Sequence, residues 1–133
     1  MDDPSPEPAA VLLFVYGTLR RGLRLHHHLK RLGAQFVANG EVQAELFDLG
    51  EFPGARASPK PGKKVKGQLY RLHKVENALK VLDQVEGFSP RNPERGMFQR
   101  SATEVTLPNG DRRLAWIYWY RWRCPRSCVL RLF

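Results

Sequence analysis

Apolar residues recur along this chain with two different periods, and each change of period marks a new element. Val11 to Val15 are apolar without a break and run into Tyr16, as a buried strand does. In "LRLHHHLKRL", residues 23–32, Leu25, Leu29 and Leu32 fall at i, i+4 and i+7, one face of a short helix that Gly33 closes. Residues 34–49 return to strand, bend at Asn39-Gly40, and continue as strand. "GEFPGARASPKPG", residues 50–62, is a loop by composition. "VKGQLYRL" (65–72) alternates as a further strand, "KVENALKVLDQVEG" (74–87) is an amphipathic helix, and "FSPRNPERG" (88–96) is a loop. The last unit is a hairpin in which "MFQRSATEVTL" and "RRLAWIYWY" flank the turn "PNGD". Asn-Gly between two strand-like runs is the strongest short hairpin signal.

These elements sum to an α+β domain whose strands outnumber its helices, with a curved or closed sheet. Trp116, Tyr118 and Tyr120 share one side of the final strand, and Ile117 and Trp119 share the other. A strand apolar on both sides is covered on both, as between a barrel interior and a helix. At 133 residues the chain makes one domain. The expected organisation is a disordered N-terminal tail at 1–10 and a single domain at 11–133, with its core at 11–121 and a distinct tail at 122–133.

Composition narrows the class. No apolar run reaches the ~18 residues that a membrane span requires. "MDDPSPEPAA" is acidic and proline-rich, without the basic and then apolar regions of a secretory leader. Cys124 and Cys128 are too few for a disulfide framework or a zinc site. They read as incidental thiols of a reducing compartment, so the expected location is cytoplasmic. The net charge of +9 favours an anionic partner: nucleic acid, acidic lipid, or a carboxylate-bearing small molecule. Basic runs such as "KPGKKVKG" more often form a solvated surface.

Two features carry candidate chemistry. At 100° per residue, Val75, Ala78, Leu79, Leu82 and Val85 form the buried stripe of the second helix. If that helix runs to its glycine stop, Glu86 lies about 20° from Val75 around the axis, inside the stripe, while Asp83 sits at its edge. A carboxylate turned towards a core loses solvation, and carboxyl groups so placed serve as general acids and bases near neutral pH. The plainer alternative is a glutamate at a frayed helix end that turns back to solvent or pairs with an arginine. The second feature is "YGTLRRG". Gly17 lets backbone approach a ligand closely, and the peptide N–H groups of a strand-to-helix turn can converge on an anion, with Arg20 and Arg21 adding positive potential. His26, His27 and His28 point about 100° apart on a helix, so they do not chelate one metal ion from a single face. No Ser-His-Asp constellation, P-loop or paired-cysteine zinc motif is present in the sequence.

In order along the chain, "VYGTLRRG", "LFDLGEFPGA", "VKGQLYRL", "LDQVEGFSP", "FQR" and "WIYWY" resemble the gamma-glutamylcyclotransferase-like family over about residues 11–121. The resemblance implies a small mixed β-barrel flanked by helices. It implies release of 5-oxoproline from a γ-glutamyl amine or peptide, without cofactor or metal. The family's anion-binding turn maps onto Tyr16, Gly17, Thr18 and Leu19, and its acid/base glutamate onto Glu86. Tyr16 either lends its hydroxyl to the site or caps the core. Arg20 and Arg100 attract a carboxylate without acting as catalysts. Two departures stand out: Phe98-Gln99-Arg100 opens the hairpin where the family often has a tyrosine and two arginines, and "RCPRSCVLRLF" matches nothing familiar there. The expected partner is a small γ-glutamyl substrate; neither a membrane nor a particular oligomeric state is implied. The rival reading is a basic, non-catalytic binding module for RNA or another anion. Its affinity would fall steeply with salt and would not require Glu86 on the buried side.

Overall fold

Five consecutive buried residues form β1 (Leu12–Tyr16), and the fold is arranged so that both faces of this strand are covered. The computed structural model describes residues 11–16, 26–48, 53–58, 62–92, 96 and 98–121. The tails at 1–10 and 122–133, with Cys124 and Cys128, lie outside the described residues, as do Gly17 to Leu25.

β1 is flanked by β4 (Lys64–Arg71), antiparallel, and β6 (Arg112–Tyr120), parallel. β4 pairs in turn with β2 (Gln35–Asp48), and β6 with β5 (Phe98–Thr106). Pairing of Glu41 with Thr106 joins β2 to β5 and closes a five-strand ring, while β3 (Pro53–Ala57) adds to the far half of β2. The result is the expected mixed barrel, since one pairing is parallel and the others antiparallel.

Alternation along β1 divides the molecule into two cores. Leu12, Phe14 and Tyr16 point into the barrel with Val42, Leu69, Val105 and Ile117. Leu13 and Val15 point outwards, where Leu29, Leu82, Tyr70, Tyr118 and Tyr120 cover them. The helix α1 (Val75–Glu86) packs over this outer layer through Ala78 and Leu82. Residues 26–31, also helical, contribute Leu29. The two-sided character of β6 follows: Ile117 lies in one core and Tyr118 in the other.

Two readings of the sequence require correction. Asn39-Gly40 does not bend the chain, and β2 continues through it for fourteen residues, its irregularity lying instead between Phe36 and Ala38. A Cβ on Gly40 would come within 2.6 Å of Val105 Cγ1, so this glycine admits β5 at the closing seam rather than making a turn. Within the expected 50–62 loop, Pro53–Ala57 is a strand, with Ala55 fully buried opposite Leu46. Among the described residues β3 pairs only with β2, and proline is tolerated on such an edge.

Candidate active site

The last turn of α1 carries two carboxylates into the layer between helix and barrel. Gly87 adopts a left-handed conformation (φ 73°), and its N–H reaches Gln84 O. Phe88 N–H donates to Asp83 O at 2.8 Å, so the helix stops sharply after Glu86. Glu86 is accordingly the final helical residue, with 6% of its surface exposed. The helical-wheel position predicted for it is the one observed.

Asp83, one turn earlier, is equally buried, and three donors converge on its carboxylate. Arg100 of β5 donates from Nε to Oδ1 at 2.8 Å and from Nη2 to Oδ2 at 3.1 Å, a two-pronged charged contact. The Tyr118 hydroxyl of β6 donates to Oδ1 at 2.6 Å. The Arg100 guanidinium is held in turn between rings, 4.6 Å from the centroid of Trp116 and 5.6 Å from that of Phe88. The network ties the C-terminal turn of α1 to the hairpin, and with it the position of Glu86.

Burial pushes the Tyr118 phenol far above the ordinary tyrosine value. Acceptance of its hydrogen bond by Asp83 and the negative charges of Asp83 and Glu86 raise it further, and Arg100 partly offsets them. Tyr118 is therefore a neutral hydrogen-bond donor, and it lies within the electrostatic reach of Glu86.

The hydroxyl of Tyr16 faces the other way, into the barrel. It donates to the carbonyl of Tyr118 at 2.8 Å and accepts from Ala55 N–H at 3.0 Å, linking β1, β6 and β3. Gly17, Thr18 and Leu19 lie outside the described residues, but the strand that leads to them is well placed. Leu13 is in register with Trp116, so two residues further along these parallel strands Val15 stands beside Tyr118. The chain thus leaves β1 next to the Asp83–Tyr118 cluster. Arg20 and Arg21 also lie outside the described residues.

Asp83, Tyr118 and the full role of Arg100 escaped the sequence reading. The i, i+3 spacing of Asp83 and Glu86 in "LDQVE", and the shared strand face of Tyr118 and Trp116, were the available signals. Among the described residues, no group of three or more His, Cys, Asp or Glu is arranged to hold a metal ion. His26 and His27 are exposed, and His28 is half-buried with its ring against that of His27. Among the described residues, no helix is long and apolar enough to cross a membrane.

The family model for gamma-glutamyl cyclotransferase, AIG2-like, matches residues 13–130. The chain belongs to this family. Over 109 residues it is 30% identical to the gamma-L-glutamyl-butirosin B gamma-glutamyl cyclotransferase of Niallia circulans. That match takes in 81% of this chain and 65% of that relative, so the chain spans just under two thirds of its length. Among solved structures it is similar to an AIG2-like protein of Mus musculus, with a TM-score of 0.68 and 26% identity over 86% of this chain and 80% of that one. A solved gamma-glutamyl cyclotransferase shares the fold, with a TM-score of 0.62 and 21% identity over 84% of this chain and 66% of that one. The AIG2-like cyclotransferase family thus accounts for the barrel and for the placement of helix α1 against it.

Proposed function

We infer that this AIG2-like cyclotransferase releases 5-oxoproline from a γ-glutamyl amine or peptide, with Glu86 as the group that moves the proton. The observation that carries this reading is a buried carboxylate at the end of α1, braced by the Asp83–Arg100–Tyr118 network beside the exit of β1. The name of the Niallia circulans relative supports the same reaction class.

In the reaction, the substrate's α-amine attacks its own γ-carbonyl carbon. A five-membered lactam closes, and the C–N bond to the departing amine breaks. Nucleophile and electrophile belong to one molecule, so the enzyme's main task is orientation, for which effective molarities of about 10⁵ M or more are known. Backbone N–H groups of Gly17, Thr18 and Leu19, which follow Tyr16 directly in the sequence, are the proposed holders of the substrate's α-carboxylate. Glu86 takes a proton from the α-ammonium, which is otherwise no nucleophile. That proton goes to the leaving nitrogen, which would otherwise depart as a strongly basic anion. The second proton, shed as the attacking nitrogen becomes the lactam N–H, passes by the same carboxylate to the departing amine, which leaves as an ammonium ion. No net proton is gained or lost by the enzyme, and no cofactor enters. In class terms this is an acyl transfer within the substrate, equally described as a lyase reaction, in a cytoplasmic enzyme.

The test is incubation of the pure protein with a panel of γ-glutamyl dipeptides and γ-glutamyl amines, reading 5-oxoproline by mass. Release from at least one member is expected. Silence across the panel, with salt-sensitive RNA binding, would favour the basic binding module instead.

A further inference from the structure

A cavity of about 300 Å³ lies between β3 and the open end of the β5–β6 hairpin, lined by Arg56, Ala57, Gln99, Trp119, Tyr120 and Arg121. Its size is at the lower end of small-molecule sites. Strand register sets it apart from the proposed catalytic centre. Gln99 is paired with Trp119, and Arg100 with Tyr118, so alternation turns the first pair to one face of the hairpin and the second pair to the other. Arg100 and Tyr118 hold Asp83 on the helix side, while Trp119 packs against the barrel core. The Gln99–Trp119 pair thus belongs to the face that α1 does not cover.

Charge in this lining is unbalanced. Arg56 is half-buried on β3, and among the described residues its side chain has no hydrogen-bond or ion-pair partner. Glu45 stands opposite it in the β2–β3 register, yet no ion pair joins the two, and Glu45 does not line the cavity. Arg121, also half-buried, donates from Nη1 to Gly96 O at 2.7 Å, which fixes its positive charge at the same cavity. No Asp or Glu is among the lining residues. A guanidinium partly withdrawn from water without a counter-charge favours an anion beside it. Two of them at one cavity suit the double charge of a phosphate better than the single charge of a carboxylate. Trp119, partly exposed, offers a ring for stacking. Gln99, exposed, pairs a donor with an acceptor, as the edge of an adenine requires. The small volume suits a monophosphate rather than a triphosphate.

We propose that this cavity binds a nucleoside monophosphate, with its phosphate held by Arg56 and Arg121 and its base on Trp119 within reach of Gln99. The site is separate from the cyclotransferase centre and stands independently of the reaction assigned there. The net charge of +9 favours the same kind of ligand at long range.

The experiment titrates the protein by calorimetry with AMP, adenosine, inorganic phosphate and a short RNA with hydroxyl ends. AMP is expected to bind saturably, about tenfold or more tightly than adenosine or phosphate alone. Arg56→Gln is expected to weaken AMP binding by about tenfold or more and to leave that of adenosine unchanged. Glu45→Gln, which removes the acid opposite Arg56, is expected to tighten AMP binding. Melting temperatures of both variants close to that of the wild type show that folding is retained. AMP binding no tighter than that of phosphate, or indifferent to Arg56→Gln, overturns the proposal. So does the lack of saturable AMP binding up to millimolar concentration. RNA binding as tight as that of AMP, with a steep salt dependence, assigns the surface to a nucleic-acid strand and overturns it too.

Discussion

Asp83 and Glu86 are both buried carboxylates on one helical turn, and their surroundings give them different tasks. Asp83 is saturated by Arg100 and Tyr118, so it braces the site. Glu86 is the proton carrier of the proposed reaction, within the electrostatic reach of Tyr118. Removal of one partner from a buried ion pair strands the other charge. Arg100→Leu is therefore expected to destabilise the fold on the order of 3 kcal/mol, and Asp83→Leu added to it should cost less than the sum of the two single changes. Urea unfolding of the four proteins of this cycle measures the coupling; additivity would contradict a braced pair. Tyr118 gives a second test through pH. Its folded-state value is raised, so above pH 10 the unfolded chain loses a proton that the native chain keeps. Stability is then full below about pH 10 and falls above it, by about 1.4 kcal/mol per pH unit for this residue. Tyr70, also raised by burial, acts in the same direction. Unfolding midpoints between pH 8 and pH 11 should show this fall in the wild type and a smaller one in Tyr118→Phe.

At the scale of elements, the decisive contact is that of β1 with β4. Gly67 sits opposite Tyr16, and a Cβ there would run into the Val15 carbonyl oxygen and come within 2.6 Å of Phe14 Cζ. The obstacle is backbone, which cannot swing aside. Gly67→Ala is expected to cost about 3 kcal/mol, read as a lowered melting temperature, and an unchanged midpoint would show that the two strands are more loosely held. Elements whose own periodicity sets their burial were legible in the sequence: β1, the hairpin, and α1 with Glu86 on its inner side. The bend at Asn39-Gly40 and the 50–62 loop were misread for a shared reason. Gly40 and Ala55 are small because another strand approaches them closely, and a single sequence does not distinguish a glycine that admits a neighbour from one that turns the chain. Asp83 was placed at the edge of the helical stripe for a related reason: its burial depends on Arg100 and Tyr118, which come from strands distant in sequence.

The whole molecule joins these parts through barrel closure. The ring from β2 through β4, β1 and β6 to β5 sets the outer layer on which α1 rests, and its opposite face at the β5–β6 hairpin lines the cavity at Gln99 and Trp119. The strong positive charge, which by itself fits nucleic acid as well as a small anion, gains a narrower meaning once the cyclotransferase family is established. On the proposed reading, its role is to draw a carboxylate-bearing substrate to the barrel. The most direct measurement sets Glu86→Gln beside the wild type on one γ-glutamyl dipeptide that the wild type cleaves, following 5-oxoproline by mass and substrate binding by calorimetry. The variant is expected to fold and bind while its release of 5-oxoproline drops by about a thousandfold or more. A variant that binds and still turns over near the wild-type rate would contradict it.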